Sequence, residues 1–465
     1  MNADLKETNR HIESAYFVGA GGIGMSALER YFMAHGVKVG GYDRTPTPLT
    51  GELMKEGAAI HFEDNVSLIP ESMRQPEHTL VVYTPAIPES HSELQYFRTH
   101  GFDIKKRAEV LGLISRQKRS LCVAGTHGKT TTSSMVAHLL HQSHVDCNAF
   151  LGGISKNFGT NYLLAPESPY VVVEADEYDR SFHHLRPYAS VITATDADHL
   201  DIYGTKEAYL ESFSHYTSLI QEGGALVVHR GLEMKEALQQ GVRRYDYSRD
   251  EGDMHAENIR IGGGRIVFDY VSPLGNISNV ELGVPVSINI ENGIAAMALA
   301  QIAGLTAEEI RRGMATFKGV DRRFDFRIKN DKHVLLSDYA HHPEEIRQSI
   351  SSIREVFAGR KISVIFQPHL YSRTRDFYHD FADSLSLADE VLLCEIYPAR
   401  ELPIEGVTSK IIYDELRPTM EKELISKSDV PRIVESRDFD VLIVLGAGDV
   451  ENCMDDLERI LSQKQ

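Results

Sequence analysis

The seven residues Gly125-Thr126-His127-Gly128-Lys129-Thr130-Thr131 constrain this chain more than any other stretch. They follow an apolar run, residues 121–124, and precede a helical pattern expected to begin near Thr132. Glycines between a strand and a helix let backbone N–H groups wrap phosphate oxygens at the helix N-terminus. A lysine there adds a point charge for the outer phosphates, and the hydroxyl of Thr130 can reach Mg²⁺. The strict eight-residue phosphate loop would carry glycine where Val123 stands, so this is a shorter variant. A strand–loop–helix of this kind belongs to largely parallel sheets with helices between the strands, and the predicted fold class is α/β.

The rest of the chain repeats that alternation. The first segment has a strand at 15–18, the turn Gly19-Ala20-Gly21-Gly22-Ile23-Gly24, and a helical stretch to about His35. A strand at 37–42 ends on Asp43, and another lies at 81–83. Gly19, Gly21 and Gly24 stand in the register of a dinucleotide fingerprint, with Asp43 where that fingerprint places an acid for a ribose. The fingerprint reports a diphosphate at a helix N-terminus, not a nicotinamide. A basic stretch (Lys105, Lys106, Arg107, Arg116, Lys118, Arg119) marks a boundary. The second segment holds the phosphate loop, strands at 170–173 and 190–193, hairpin turns at 262–264 and a helix at 292–303. The third, from about Asp321, has strands at 334–337, 362–366, 390–394 and 441–445; Gly446-Ala447-Gly448-Asp449 turns the last of these into a helix. At roughly 150 residues per domain, 465 residues suggest three domains, placed at 1–115, 116–320 and 321–465. The expected architecture is a Rossmann-like domain, a central mononucleotide-binding domain of the phosphate-loop ATPase kind, and a second Rossmann-like domain.

Chemistry-bearing residues collect at strand ends. The strand at 170–173 delivers Glu174, Asp176, Glu177 and Asp179, and hard oxygen ligands at such a place suit Mg²⁺. The next strand leads into Asp196-Ala197-Asp198-His199-Leu200-Asp201, where His199 could be a ligand or could cap a turn. In the third segment, Arg322-Arg323, Asp338-Tyr339-Ala340-His341-His342-Pro343 and the loop from Gln367 to Arg375 are polar, His-rich and basic, which suits a carboxylate or a transferring phosphoryl group.

The charge balance, 49 basic against 67 acidic residues and a net charge of −18, argues against a nucleic-acid partner. The four scattered cysteines, Cys122, Cys147, Cys394 and Cys453, read as free thiols in a reducing compartment. Residues 1–10 are polar and no run of 18 apolar residues occurs, so no membrane insertion and a cytoplasmic location are expected.

In order, these motifs resemble the Mur ligases from about Ile12 to about Asp449; the most specific are Gly125–Thr132, Glu174-Ala175-Asp176-Glu177, Asp198-His199, Gly319–Phe324, Asp338–Pro343, Phe366–Asp376 and Gly446–Asp449. The resemblance implies an enzyme whose first domain holds UDP, whose second holds ATP and Mg²⁺ (or Mn²⁺), and whose third brings the amino acid. The implied reaction joins L-alanine to UDP-N-acetylmuramate through an acyl phosphate, releasing ADP and phosphate, in peptidoglycan precursor synthesis. A monomer or weak homodimer is expected. By resemblance, Gly125, Thr126, His127, Gly128, Lys129, Thr130, Thr131, Asn292, Arg323 and Asp338 bind ATP. Gly21, Gly22, Ile23, Gly24, Asp43, Thr84, Ala86 and Arg107 bind the UDP-sugar, and Thr130, Glu174 and His199 hold metal. Lys129, Glu174, His199, Arg323, His341, His369 and Arg373 form the catalytic set, with Arg323 for the γ-phosphate, Asp338 for the ATP ribose, and His341, His369 and Arg373 framing the alanine and the phosphoryl group.

Four positions depart from the family pattern. Glu291 replaces a usual histidine beside Asn292, Leu370 replaces an arginine, Ala194 replaces an asparagine, and Thr84-Pro85-Ala86-Ile87 replaces a Ser-rich loop. Residues 211–219 lack the lysine that several sister ligases carbamylate, which favours the alanine-adding member. The alternatives are a recycling ligase that attaches an intact tripeptide to the same nucleotide sugar, and a non-catalytic nucleotide-sugar sensor, which would have no need of Lys129, Thr130, Glu174 and His199 together. A dehydrogenase, suggested by the first glycine turn, leaves the phosphate loop unexplained.

Overall fold

The computed structural model describes residues 12–196, 200–399 and 401–464. Three α/β sheets carry the chain, as the alternation predicts. The first has five parallel strands in the order Ala59–His61, Lys38–Tyr42, Ser14–Val18, Thr79–Tyr83, Asp103–Lys106. The second has seven: Arg243–Tyr247, Ala225–His229, Ala189–Ile192, Arg119–Ala124, Tyr170–Glu174, Asn148–Ser155 and Thr160–Leu163, all parallel except the last pair. The third has six: Asp325–Lys329, Val334–Asp338, Val441–Leu445, Ile362–Phe366, Glu390–Leu393 and Glu421–Leu424, antiparallel only at its first pair. A small sheet of His255–Gly262, Arg265–Val271 and Ile277–Glu281 includes the expected hairpin, since only Gly263 and Gly264 separate its first two strands.

The strands that read most clearly are those buried on both faces. Ile362–Phe366 and Val441–Leu445 are wholly buried, and such strands show as continuous apolar runs. The helix after the phosphate loop starts at Lys129, earlier than the expected Thr132, because Gly128 itself is its N-cap. The glycines at 446–449 lead first into a short 3-10 turn, Val450–Cys453, and then into the helix Met454–Gln463.

By compactness the chain forms two units. One comprises Met1–Glu257, Tyr270–Ser278 and Glu291–Met314; the other comprises Asn258–Asp269, Asn279–Ile290 and Ala315–Gln465. The first unit holds both the N-terminal and the central sheet, and one apolar core runs through it. Leu28 and Phe32 of the helix Ile23–Ala34 share that core with Phe150 and Tyr162 of the central sheet. Polar contacts reinforce the joint: Arg30 donates to Asn161 Oδ1 at 2.8 Å, and Asn161 Nδ2 donates to the carbonyl of Ile23 at 2.6 Å. Glu29, on the same helix, is fully buried, and neither carboxyl oxygen finds a hydrogen-bond partner among the described residues. Burial pushes its carboxyl well above the usual range. Among the described residues no helix is long and apolar enough to cross a membrane.

Candidate active site

Arg119–Ala124 lies between Tyr170–Glu174 and Ala189–Ile192, so the C-terminal ends of both neighbours flank the loop that follows it. That is where open α/β sheets place ligands. The loop turns at Gly125 (φ +131°) and Gly128 (φ +79°), left-handed conformations that glycine adopts without steric cost. Its shape is braced from the segment after the strand Ala189–Ile192. Thr126 N donates to the Ala194 carbonyl at 3.0 Å, Thr126 Oγ1 donates to the Asp196 carbonyl at 2.8 Å, and Thr193 Oγ1 donates to the His127 carbonyl. His127 Nε2 stands 3.8 Å from Asp196 Oδ2. Thr131 occupies the first turn of the helix that follows.

Lys129 folds back over the loop. Its Nζ donates to the Gly125 carbonyl at 2.6 Å and lies 2.8 Å from the Glu177 carboxylate. Glu177 is almost wholly buried, and burial pushes its carboxyl up to about 7, with the Lys129 ammonium as the largest opposing influence. Thr130 Oγ1 donates to Glu174 Oε1 at 3.1 Å, and the Gly152 amide donates to Glu174 Oε2 at 3.2 Å. A hydroxyl and a carboxylate side by side are hard oxygen donors. They fit Mg²⁺, which takes few protein ligands and keeps water and substrate phosphates in its remaining positions. The described residues contain no group of three or more His, Cys, Asp or Glu able to hold a metal, and Asp198 and His199 lie outside the described residues.

Asn292 reaches the same loop, its Oδ1 accepting from Thr132 Oγ1 at 3.2 Å. Glu291, the departure beside it, accepts from the Arg249 amide at 3.2 Å and faces His229 Nε2 at 3.3 Å. The His229 contact holds the Glu291 carboxyl below its usual range and raises the imidazole. The charge at position 291 is thus neutralised locally.

The N-terminal glycine turn opens on a cleft of 290 Å³. Gly22, Ile23, Gly24, Thr84 and Arg107 line it together with Phe150, Gly152 and Glu174 of the central sheet and Asp176 just after it. Gly24 allows the Arg107 guanidinium a close approach; a β-carbon there would stand 2.8 Å from it. Arg107 Nη2 pairs with Asp176 Oδ2 at 3.1 Å, and Lys106 pairs with Asp179 at 2.7 Å. Asp43 and Gly21 are not on the cleft wall. Asp43 Oδ2 instead accepts the Gly21 amide at 2.7 Å. Ala86 likewise lies off the wall.

In the second unit, Asp338 ends its strand buried, accepting from the amides of Phe324 and Tyr339 and from Ser349 Oγ. Burial raises its carboxyl. Arg322 and Arg323 stack on the Tyr339 ring, 4.7 and 5.0 Å from its centroid. The rings of His341 and His369 are 5.9 Å apart, and Arg373 Nη1 stands 3.5 Å from His369 Nδ1. Leu370 links them at φ +74°, a costly backbone for leucine, held by its amide on the Tyr397 carbonyl at 3.0 Å and by Thr374 Oγ1 on its own carbonyl at 2.8 Å. Arg375 is spent on Asp376 at 2.7 Å.

Three groups stand in the site without an individual role from sequence: Glu177 and Asp176, offered there only as part of a Mg²⁺-suited cluster and here paired with Lys129 and Arg107, and Gly152. The first two belong to an acidic cluster whose spacing does not say which carboxylates point inward. Gly152 carries no signal, because its amide meets Glu174 only through the pairing of Asn148–Ser155 with Tyr170–Glu174.

Known proteins match this chain along nearly its whole length. Three family models fit: "Mur ligase family, catalytic domain" at residues 14–119, "Mur ligase middle domain" at 123–300 and "Mur ligase, glutamate ligase domain" at 322–448. A UDP-N-acetylmuramate–L-alanine ligase of Phocaeicola vulgatus is 67% identical over 97% of this chain and 99% of its own. One of Porphyromonas gingivalis is 55% identical over 95% and 97%. The crystal structure of UDP-N-acetylmuramate-alanine ligase from Thermotoga maritima superposes with a TM-score of 0.81 at 28% identity, covering 97% of this chain and 99% of that one. A murein peptide ligase from Psychrobacter arcticus shares the fold at a TM-score of 0.66 and 21% identity, over 97% and 98%. With matched models running from residue 14 to residue 448 and relatives more than half identical over almost all of it, the chain belongs to the Mur ligase family.

Proposed function

We propose that the chain joins L-alanine to the carboxylate of UDP-N-acetylmuramate while ATP is cleaved to ADP and phosphate, an early step of cytoplasmic peptidoglycan precursor synthesis. The carrying observation is the shared cleft: Gly22–Gly24 and Arg107 face Glu174, which Thr130 of the phosphate loop contacts. A nucleotide sugar held by the first group brings its carboxylate toward the second. The relatives' activity supports the same reading.

A carboxylate at neutral pH is a poor electrophile, and phosphorylation gives it a leaving group that an amine can displace. The first step is mainly positioning and charge neutralisation. Gly125–Thr131 cradles the phosphates of ATP, Lys129 neutralises the outer ones, and Asn292 serves the base. Thr130 and Glu174 would hold Mg²⁺ or Mn²⁺, with His199 as a further ligand, and that cation would supply charge stabilisation at the transferring phosphoryl group. Gly22–Gly24, Thr84 and Arg107 form the UDP-sugar wall of the cleft, and Asp43, Gly21 and Ala86, which lie off that wall, would serve the nucleotide only where it extends past the cleft. Arg323 and Asp338 serve ATP, and His341, His369 and Arg373 serve the amino acid and the phosphoryl group. The working domain division is 1–115, 116–320 and 321–465, and the working form is a monomer or weak homodimer.

The test is phosphate release with UDP-N-acetylmuramate, ATP and Mg²⁺, adding L-alanine, glycine, L-serine or the intact tripeptide in turn. Turnover highest with L-alanine is expected. Turnover only with the tripeptide would make the chain a recycling ligase, and ligand binding without turnover would make it a sensor.

A further inference from the structure

Lysine ammonium carries three protons, and around Lys129 Nζ the structure places three acceptors of unequal quality. The Gly125 carbonyl at 2.6 Å and the Glu177 carboxylate at 2.8 Å are short; the Thr126 carbonyl at 3.3 Å is long. Two short bonds in fixed directions determine where the third N–H points, and that weakly held proton is the one a phosphate oxygen can take. Glu177 can impose such a direction because burial confines its side chain and its backbone is anchored. It is 1% exposed, and its own carbonyl accepts the Tyr203 hydroxyl at 2.5 Å.

We infer that Glu177 is a positioning residue for the phosphate loop: it fixes the Lys129 ammonium so that one N–H is aimed at the phosphates of ATP. The inference rests on the ATP-loop reading above and adds a residue to it. Simple charge counting gives the opposite expectation. A carboxylate beside an anion site repels the anion, so removing its charge should strengthen nucleotide binding. Positioning requires binding to weaken, because the freed ammonium spreads over several orientations and must be ordered again by the ligand.

The experiment measures the affinity of Mg·ATP by calorimetry, without the other substrates, for the parent chain, Glu177→Gln, Lys129→Ala and the double variant. Glutamine keeps the size of the side chain and removes the charge. Glu177→Gln should weaken ATP by about tenfold, the scale of one hydrogen bond to a charged group. In the Lys129→Ala background the same change should do nothing or bind ATP slightly better. Glu177→Asp keeps the charge but falls a methylene short, so an intermediate loss is expected; it replaces the Gln variant should that one melt early. UDP-sugar affinity should not change in any of them. Unchanged or tighter ATP binding by Glu177→Gln overturns the inference, as does an equal loss with and without Lys129. A parent chain that binds no ATP at all would instead overturn the ATP-loop reading, and this inference with it.

Discussion

The molecule uses the strand–glycine–helix device twice in its first unit and fills it in opposite ways. At Gly19–Gly24 the turn is occupied by an acid, since Asp43 takes the Gly21 amide at 2.7 Å, while the nearby cation, Arg107, is tied to Asp176. At Gly125–Gly128 the turn is occupied by a base, the Lys129 ammonium, which Glu177 anchors. Both lead into a helix N-terminus, an end that favours negative charge. The difference is in which neighbouring strand delivers the charged side chain. In the first turn the acid comes from the end of Lys38–Tyr42; in the second it comes just after Tyr170–Glu174 and meets a lysine belonging to the loop itself. Glycine spacing therefore reports that phosphate can be bound, and the side chains from adjacent strands decide how strongly and in what chemical role.

The comparison breaks most sharply if the two turns prove interchangeable in their effects. Lys129→Ala should lower kcat by about 10²–10³-fold or more while the UDP-sugar dissociation constant stays unchanged, the scale seen when one preorganised stabiliser of developing charge is removed. Phosphate-release kinetics and calorimetry with UDP alone would check it; an equal loss in both would mean that the turns are not separate sites. Arg107→Ala should act in mirror image, weakening the nucleotide sugar by about 10–100-fold, the range of a charge-assisted hydrogen bond to phosphate, and leaving Mg·ATP affinity alone.

Glu174→Gln sharpens the contrast at the metal. Activity should need a divalent cation, and this variant should shift its half-saturation upward by about tenfold, comparable to losing an outer-shell partner or more. A metal titration that superimposes on the parent's removes Glu174 from the ligands. The smallest effect concerns stability. Glu29 lies on the helix that follows the first turn, and its raised folded pKa means that the folded state prefers the protonated form. Above the unfolded value of about 4.3, folding must keep a proton that the unfolded chain has released, so this group's penalty grows as pH rises. Glu29→Gln should remove that slope, raising Tm at pH 8 more than at pH 5.5. A gain equal at the two pH values would show that the carboxyl is not protonated in the folded chain.

The sequence spoke most clearly where burial is two-sided or where a motif is local. The strand runs at Ile362–Phe366 and Val441–Leu445 and the phosphate loop were legible for those reasons. Asp103–Lys106 was not, because this edge strand is half-exposed and two lysines end it, so it reads as a basic linker. In the candidate site, only the family resemblance picked Glu174 out of its acidic cluster, whereas Lys129 and Thr130 could be named from spacing. The pairing of Glu291 with His229 could not, for it joins residues 62 positions apart through the fold alone. Asp43 could be placed at a strand end, but whether it faces a ribose or its own loop amide depends on the path of the turn, which glycine leaves open.

The joint between the N-terminal and central sheets has a kinetic meaning. Arg30 with Asn161, Lys106 with Asp179 and the core around Phe150 bind the two walls of the 290 Å³ cleft into one compact body. Those walls are ordered when the chain folds, so an arriving nucleotide sugar need not recruit them from separate domains. Its capture should run at the rate of encounter with a preformed surface, and differences in affinity among related sugars should appear in how long they stay rather than in how fast they arrive.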